Sequence, residues 1–419
     1  MNKNEKIKEL QDKEKYNVYQ EDLGFEKELN ILRNDFYYQM IYSRDISLVD
    51  FMYNPLDVMS GDAYSARRID EHSTFYLMVD GMGKGMSASL TAMIMTSFIN
   101  HIFDKMIAHD SFELSVLVHE TMEYIKPILL EEEALAIDYI VMNNYDNMLY
   151  YAKFGMPVIL MENDDNQIAK IRSNNAPLSK YQKTFNISSY DITNITKFLI
   201  YTDGIVENST IYDNKLYSDF IEEDFLNSFT RADLKKSFFD KIDIQEDDVT
   251  LIFINNLHHK TTNVSSMNFP STLDSVDKAN DWYGSILEKI SSNNAAIYNA
   301  NVVFTELFMN AYEHGNLGID SDLKQQLLDD DIYFETLNEK SESCKKEINI
   351  IVSEVLFNSE NYVITQIIDE GEGFDTQILS QIFRNSQAFN GRGVFVSRKN
   401  SLGIYYNSKG NSVLYLNKV

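Results

Sequence analysis

Basic residues are scarce in this chain. Of 419 residues, 37 are lysine or arginine against 64 aspartate or glutamate, for a net charge of −27. So negative a surface repels nucleic acid and anionic lipid, and neither is expected as a partner. Cysteine is nearly absent: Cys344 is the single one, which excludes a disulfide framework and fits a reducing cytoplasm. No apolar run approaches the roughly 18 residues of a membrane span. Met1 opens onto lysines and glutamates where a signal peptide would be apolar. The expectation is a soluble, cytoplasmic protein without sequence repeats. Its hydrophobic content of 44% is ordinary for real cores, and its length suits two or three domains.

The pattern along the chain is mixed. After a charged start, Leu29, Leu32, Phe36 and Met40 share one helical face. They predict an N-terminal helix within residues 1–40, either packed on the next domain or pairing two subunits. Helices are expected at 87–107 and 112–128, then strands at 134–142, 148–154, 158–161, 197–202 and 249–254. A polar helical region covers 212–240. Residues 258–263, with His258 and His259, read as a polar linker. Beyond it, helices at 273–290 and 299–314 precede strands at 348–355, 362–368, 403–406 and 412–416. An acidic stretch at 323–346 reads as a lid, a partner surface or a plain loop. The fold class is α+β.

Four aspartates share one kind of placement. Asp62 stands beside Gly61, Asp80 and Asp203 each end a strand before a glycine, and Asp247 comes just before a strand. Glycine lets backbone carbonyls approach a bound ion. Several carboxylates without cysteine or histidine nearby favour Mg²⁺ or Mn²⁺. A carboxylate bridging two such ions can position a hydroxide for in-line attack on phosphorus.

The order GD, VDGMGKG, AS, YTDGIVE and DDVTLI resembles the SpoIIE/RsbU branch of the metal-dependent serine/threonine protein phosphatases. The resemblance covers about residues 41–257. It implies an αββα sandwich with two ions between the sheets. Asp80 would bridge the ions and Gly81 lend its carbonyl; Asp203 and Asp247 would hold one ion, and Asp62 would support the other. Asp248 matches a variable position. This chain departs from the pattern at Ala63-Tyr64-Ser65-Ala66 and at Phe154-Gly155-Met156-Pro157.

A second constellation lies further on. Glu306, Asn310 and His314 are spaced four apart, on one face of the expected helix. Asp369 then ends a strand before Gly371 and Gly373, and Gly391-Arg392-Gly393 follow. Paired glycines let a loop close over phosphates, an aspartate can accept an adenine amino group, Asn310 can hold Mg²⁺, and Glu306 can orient or deprotonate an attacking hydroxyl. This set resembles the N, G1 and G2 boxes of the GHKL (Bergerat) ATPase fold, and within it the RsbW/SpoIIAB serine kinases that act as anti-sigma factors. The resemblance covers 264–419 and implies an α/β-sandwich domain that binds Mg-ATP. A phosphatase and a serine kinase in one chain imply one shared substrate, a STAS-type anti-sigma factor antagonist, with a sigma factor or another regulator downstream. A homodimer through the N-terminal helix is one expected assembly, the other reading being a helix packed on the next domain. The alternative is a phosphatase alone, with a C-terminal domain that only binds nucleotide or a partner.

Overall fold

The computed structural model describes residues 32–35, 38–41, 45–57, 59–83, 85–257, 262–376 and 400–419. They fall into two compact units. Among the described residues, one spans 50–254 and includes 32–34; the other spans 255–419 and includes 35–49.

The first unit is built on two sheets. In one, Asp62–Arg68, Ser73–Gly81, Ala134–Asn143 and Met148–Phe154 lie side by side, each antiparallel to its neighbour. Phe75 through Val79 are all buried, so Ser73–Gly81 is a central strand covered on both faces. In the other sheet, Ile195–Tyr201 lies between Val249–Asn256 and Ile159–Asn163. Helices Met86–Ala108 and Leu114–Ile125 pack on the first sheet. Helices Ile221–Asn227 and Arg231–Lys241 pack on the second through Leu199, Tyr201, Phe225, Phe238 and Phe253. Two ion pairs are sealed inside this unit, Lys153 with Asp138 and Lys197 with Glu162. Burial pushes the Asp138 carboxyl up and the Lys153 ammonium down.

The second unit is a five-stranded antiparallel sheet. Its order is Thr262–Pro270, Glu347–Phe357, Glu360–Ile368, Ser412–Lys418, Gly403–Tyr406. Helices Leu273–Ile290 and Asn294–Asn310 supply Tyr283, Leu287, Phe304 and Phe308 to a core shared with Ile350, Val363 and Tyr415. Tyr283 stacks on Phe304 at 4.3 Å.

Four expectations need correction. The helix expected across 29–40 is not formed where residues are described: Arg33–Asn34 and Tyr38–Ile41 are strands, the latter paired antiparallel with the start of Asp45–Asn54. Tyr and Ile favour strands, and sheet pairing outweighed the helical spacing. Leu29 and Phe36 lie outside the described residues, as do His258 and His259. Thr262 and Asn263, read as linker, open a strand. The stretch 323–346 is largely ordered into helices Ser321–Asp329 and Tyr333–Ser343. The helix Met86–Ala108 reaches a mean hydropathy of 1.2, enough by length and composition to cross a membrane. Half of that window is buried inside the protein, so it serves as a core helix.

Candidate functional site

Antiparallel pairing sets Asp62 directly opposite Asp80. The Gly81 amide closes this end of the pair, donating to the Gly61 carbonyl at 2.9 Å. Like charges placed opposite each other destabilise a sheet pair. The other two carboxylates come from the second sheet: Asp203 starts a short helix after Ile195–Tyr201, and Asp247 precedes Val249–Asn256. All four line one cavity of about 390 Å³, together with Gly81 and Asp248.

The backbone fits these side chains closely. A Cβ on Gly204 would sit 1.9 Å from the Asp248 carbonyl oxygen, and one on Gly81 would sit 2.7 Å from the Ala88 carbonyl oxygen. Gly83 and Gly85 carry φ near +85° and +84°, which glycine adopts without strain. They turn the chain from the strand into the helix Met86–Ala108.

The site is electrostatically unbalanced. Burial pushes the Asp62 carboxyl well above the usual range, and the Thr202 hydroxyl, donating at 2.7 Å, offsets only part of this. The Asp80 carboxyl is pushed up to about 10, first by burial, then by the charges of Asp62 and Asp203, and by a hydrogen bond with Asp203 that requires a proton between them. Among the described residues, no three His, Cys, Asp or Glu side chains are gathered closely enough to form a ready ion cage. A buried to half-buried set of oxygen donors, with no lysine or arginine in the lining among the described residues, fits hard divalent cations. Asp62, Asp80, Asp203, Asp247 and the Gly81 carbonyl are the groups placed to hold them.

The sequence marked Asp248 only as a variable position of the pattern and did not reveal how these carboxylates are supported. Asp248 is a clamp: its two oxygens accept from the Leu56 amide at 2.7 Å and the Gly61 amide at 2.6 Å, fixing the turn that presents Asp62. The Asn208 side chain donates to the Gly204 carbonyl and accepts from the Glu246 amide at 2.7 Å, tying the Asp203 turn to the loop that carries Asp247. Glu207 joins the cavity wall. So does Gly155, at φ +72° against Pro177, which places one of the two departures from the family pattern beside the carboxylates.

In the second unit, Glu306 and Asn310 lie half-buried on the helix Asn294–Asn310. The helix continues as a π turn, Ala311–Asn316, within which the His314 Nδ1 meets the Ile319 carbonyl. This turn brings Gly315 against Asp369; a Cβ there would lie 2.4 Å from the carboxyl carbon. Gly371 is equally confined, since its Cβ would lie 2.3 Å from the Gly315 carbonyl oxygen. The Gly371 amide donates to the Asp369 carboxylate at 2.8 Å. Burial lifts that carboxyl to about 6, and the Gly371 amide, Lys346 and Lys409 hold it back from rising further. Asn316, unnoticed in the sequence, accepts from the Glu370 amide at 2.8 Å and donates to the Glu347 carbonyl at 3.0 Å. Gly373, at φ +79°, packs on the Lys409 carbonyl. Gly391, Arg392 and Gly393 lie outside the described residues.

Comparison with known proteins bears on the first unit. Residues 70–256 match the family model of Stage II sporulation protein E (SpoIIE). Phosphoserine phosphatase RsbP of Bacillus subtilis (strain 168) is 24% identical over 163 residues, 38% of this chain and 40% of RsbP. The match therefore spans well under two thirds of that relative's length. Among solved structures, the RsbU and RsbW domains of Rv1364c from Mycobacterium tuberculosis are 15% identical. That likeness covers 89% of this chain and 94% of the other, with a TM-score of 0.44. The PP2C phosphatase domain of SpoIIE from Bacillus subtilis, with a fragment of its regulatory domain, is also 15% identical. It covers 52% of this chain and 64% of the other, with a TM-score of 0.43. Residues 70–256 of this chain, somewhat under half of it, are thus similar to the SpoIIE family and, in part, to the phosphoserine phosphatase RsbP.

Proposed function

We propose that residues 41–257 hydrolyse phosphoserine or phosphothreonine on a protein, using Mn²⁺ or Mg²⁺, and that 264–419 form a GHKL-type serine kinase domain that uses Mg-ATP. The observation that carries the first half is the convergence of Asp62, Asp80, Asp203 and Asp247 on one cavity. When bound there, divalent ions would neutralise phosphate charge and activate water. The chain's own contribution is position. Asp80 faces both Asp62 and Asp203 and so is the group suited to bridge; Asp248 and Asn208 fix the turns, and the Thr202 hydroxyl orients Asp62.

For the second half, Asp369 supports the reading: a buried carboxylate in a hollow where glycines leave no room for side chains. It would accept from an adenine amino group, with Asn310 as Mg²⁺ ligand, Glu306 as base, and Gly371, Gly373 and the 391–393 stretch around the phosphates. The proposed shared substrate is a STAS-type anti-sigma factor antagonist, phosphorylated by one half and dephosphorylated by the other. The second reading is a phosphatase whose C-terminal unit binds nucleotide or a partner without transferring phosphate.

One assay separates them. The Asp80→Asn chain is incubated with a STAS-domain protein and Mg-ATP, and phosphoserine is followed by mass spectrometry. Accumulation of phosphoserine supports the kinase; none sinks it for that substrate. Wild type with Mn²⁺ should then remove the phosphate, and failure to do so sinks the phosphatase.

The Asp369 carboxyl gives the nucleotide site a pH signature. With a folded value of about 6, the group is mostly ionised at pH 7 and protonated below 6, where it no longer accepts. Affinity for trinitrophenyl-ATP is expected to fall roughly tenfold per unit as pH drops below about 6. Asp369→Asn should bind weakly and lose that dependence. A wild-type profile that matches the variant's would rule out this role for Asp369.

A further inference from the structure

The cavity's lining contains five aspartates and Glu207 but, among the described residues, no lysine, arginine or histidine. Ions would take the phosphate of a substrate. Among the described residues, nothing basic in the wall is available to hold the polypeptide around it. The mouth offers a different chemistry. Met82, which lines the cavity, is 58% exposed, Met86 is 83% exposed and Leu90 is 55% exposed. Met86 and Leu90 lie one helical turn apart on the same face.

This face is fixed relative to the carboxylates. The first turn of the helix rests on Gly81, and the Ser89 hydroxyl donates to the Met59 carbonyl at 3.2 Å. Leu130, 66% exposed, extends the patch. Its amide donates to one Glu133 oxygen at 3.0 Å, while Thr91, beside Leu90, donates to the other at 2.7 Å. Ala134, the next residue, is in the cavity wall. Single exposed apolar side chains are ordinary, but here four stand on segments that border one charged cavity. Methionine suits a surface that must adapt to its partner.

We propose that Met82, Met86, Leu90 and Leu130 form a docking collar for apolar side chains flanking the phosphorylated residue of a protein substrate. The site thereby selects phosphoserine in an apolar context. This rests on the phosphatase reading above.

The test uses the full chain with Mn²⁺ and three probes: p-nitrophenyl phosphate, a phosphoserine peptide with leucines on both sides, and one with serine and glycine there. Wild type should favour the leucine peptide by about tenfold or more in kcat/KM. The Met86→Ser/Leu90→Ser variant, whose changes lie outside the cavity wall, should lose that preference yet turn over p-nitrophenyl phosphate like wild type. Equal kcat/KM for both peptides with wild type overturns the collar, and so does a preference that survives in the variant. If the variant instead shifts from dimer to monomer by light scattering with its peptide preference intact, the face belongs to a second copy and the collar falls. Should wild type fail on p-nitrophenyl phosphate itself, the phosphatase reading falls, and the collar with it.

Discussion

Asp80→Asn should reduce phosphatase turnover by about 10²–10³-fold or more while the protein stays folded. The two effects have one cause. Asp80 sits opposite Asp62 in the strand pair and shares a hydrogen bond with Asp203. Burial and the neighbouring carboxylates oppose its ionisation, so at neutral pH the ion-free protein must take up a proton at Asp80 to fold, a cost that asparagine removes. Asparagine keeps the size and one acceptor oxygen but cannot neutralise a divalent cation. Without added metal, the variant should therefore melt at or above the wild-type temperature. Added Mn²⁺ should raise the wild-type Tm by several degrees, as any ligand of the folded state does, and leave the variant nearly unmoved. Trinitrophenyl-ATP should bind both alike. If Asp80→Asn kept more than a tenth of wild-type turnover on p-nitrophenyl phosphate, or kept the full Mn²⁺ stabilisation, Asp80 would not be the bridging carboxylate.

Much of this could be read from residue order, and the reasons are local. The 148–154 and 403–406 strands and the 273–290 helix were expected with the bounds observed, because each is a strongly patterned run closed by turn residues. The aspartates were visible because each accompanies a glycine or a strand edge. Their supports were not. Asp248 acts on amides 192 and 187 residues away, and Asn208 bridges two turns 38 residues apart; no local spacing carries such pairings. The acidic stretch after His314 concealed its order for a similar reason. Its helices are tied down by Glu313, a buried acid that accepts from Tyr333 and, at 2.5 Å, from Lys324. Those partners are defined only once the π turn has formed. At the N-terminus a real helical spacing lost to strand pairing, which is the tertiary override that single-segment patterns cannot register.

The largest stability effect is expected at Lys197, which has no part in the chemistry. This lysine is fully buried in the strand Ile195–Tyr201, where hydrophobic pattern alone would place an apolar residue. Its ammonium lies 2.6 Å from Glu162 and donates to the carbonyls of Phe225 and Ser228 at 2.8 Å and of Leu226 at 3.2 Å. It therefore answers a buried carboxylate and also the buried or part-buried carbonyls at the end of the helix Ile221–Asn227, where a cation complements the helix dipole. Lys197→Met fills the volume but strands both. The expected cost is about 3–5 kcal/mol, the usual penalty for leaving one member of a buried pair uncompensated. Adding Glu162→Leu removes the stranded charge and should restore most of that loss. A deficit of about 1–3 kcal/mol should remain, because the helix carbonyls still lack their donor. Urea titration of the three chains, followed by a probe in the first unit, measures both steps. A double variant as unstable as Lys197→Met would mean that the helix end, and not Glu162, is what the buried lysine serves.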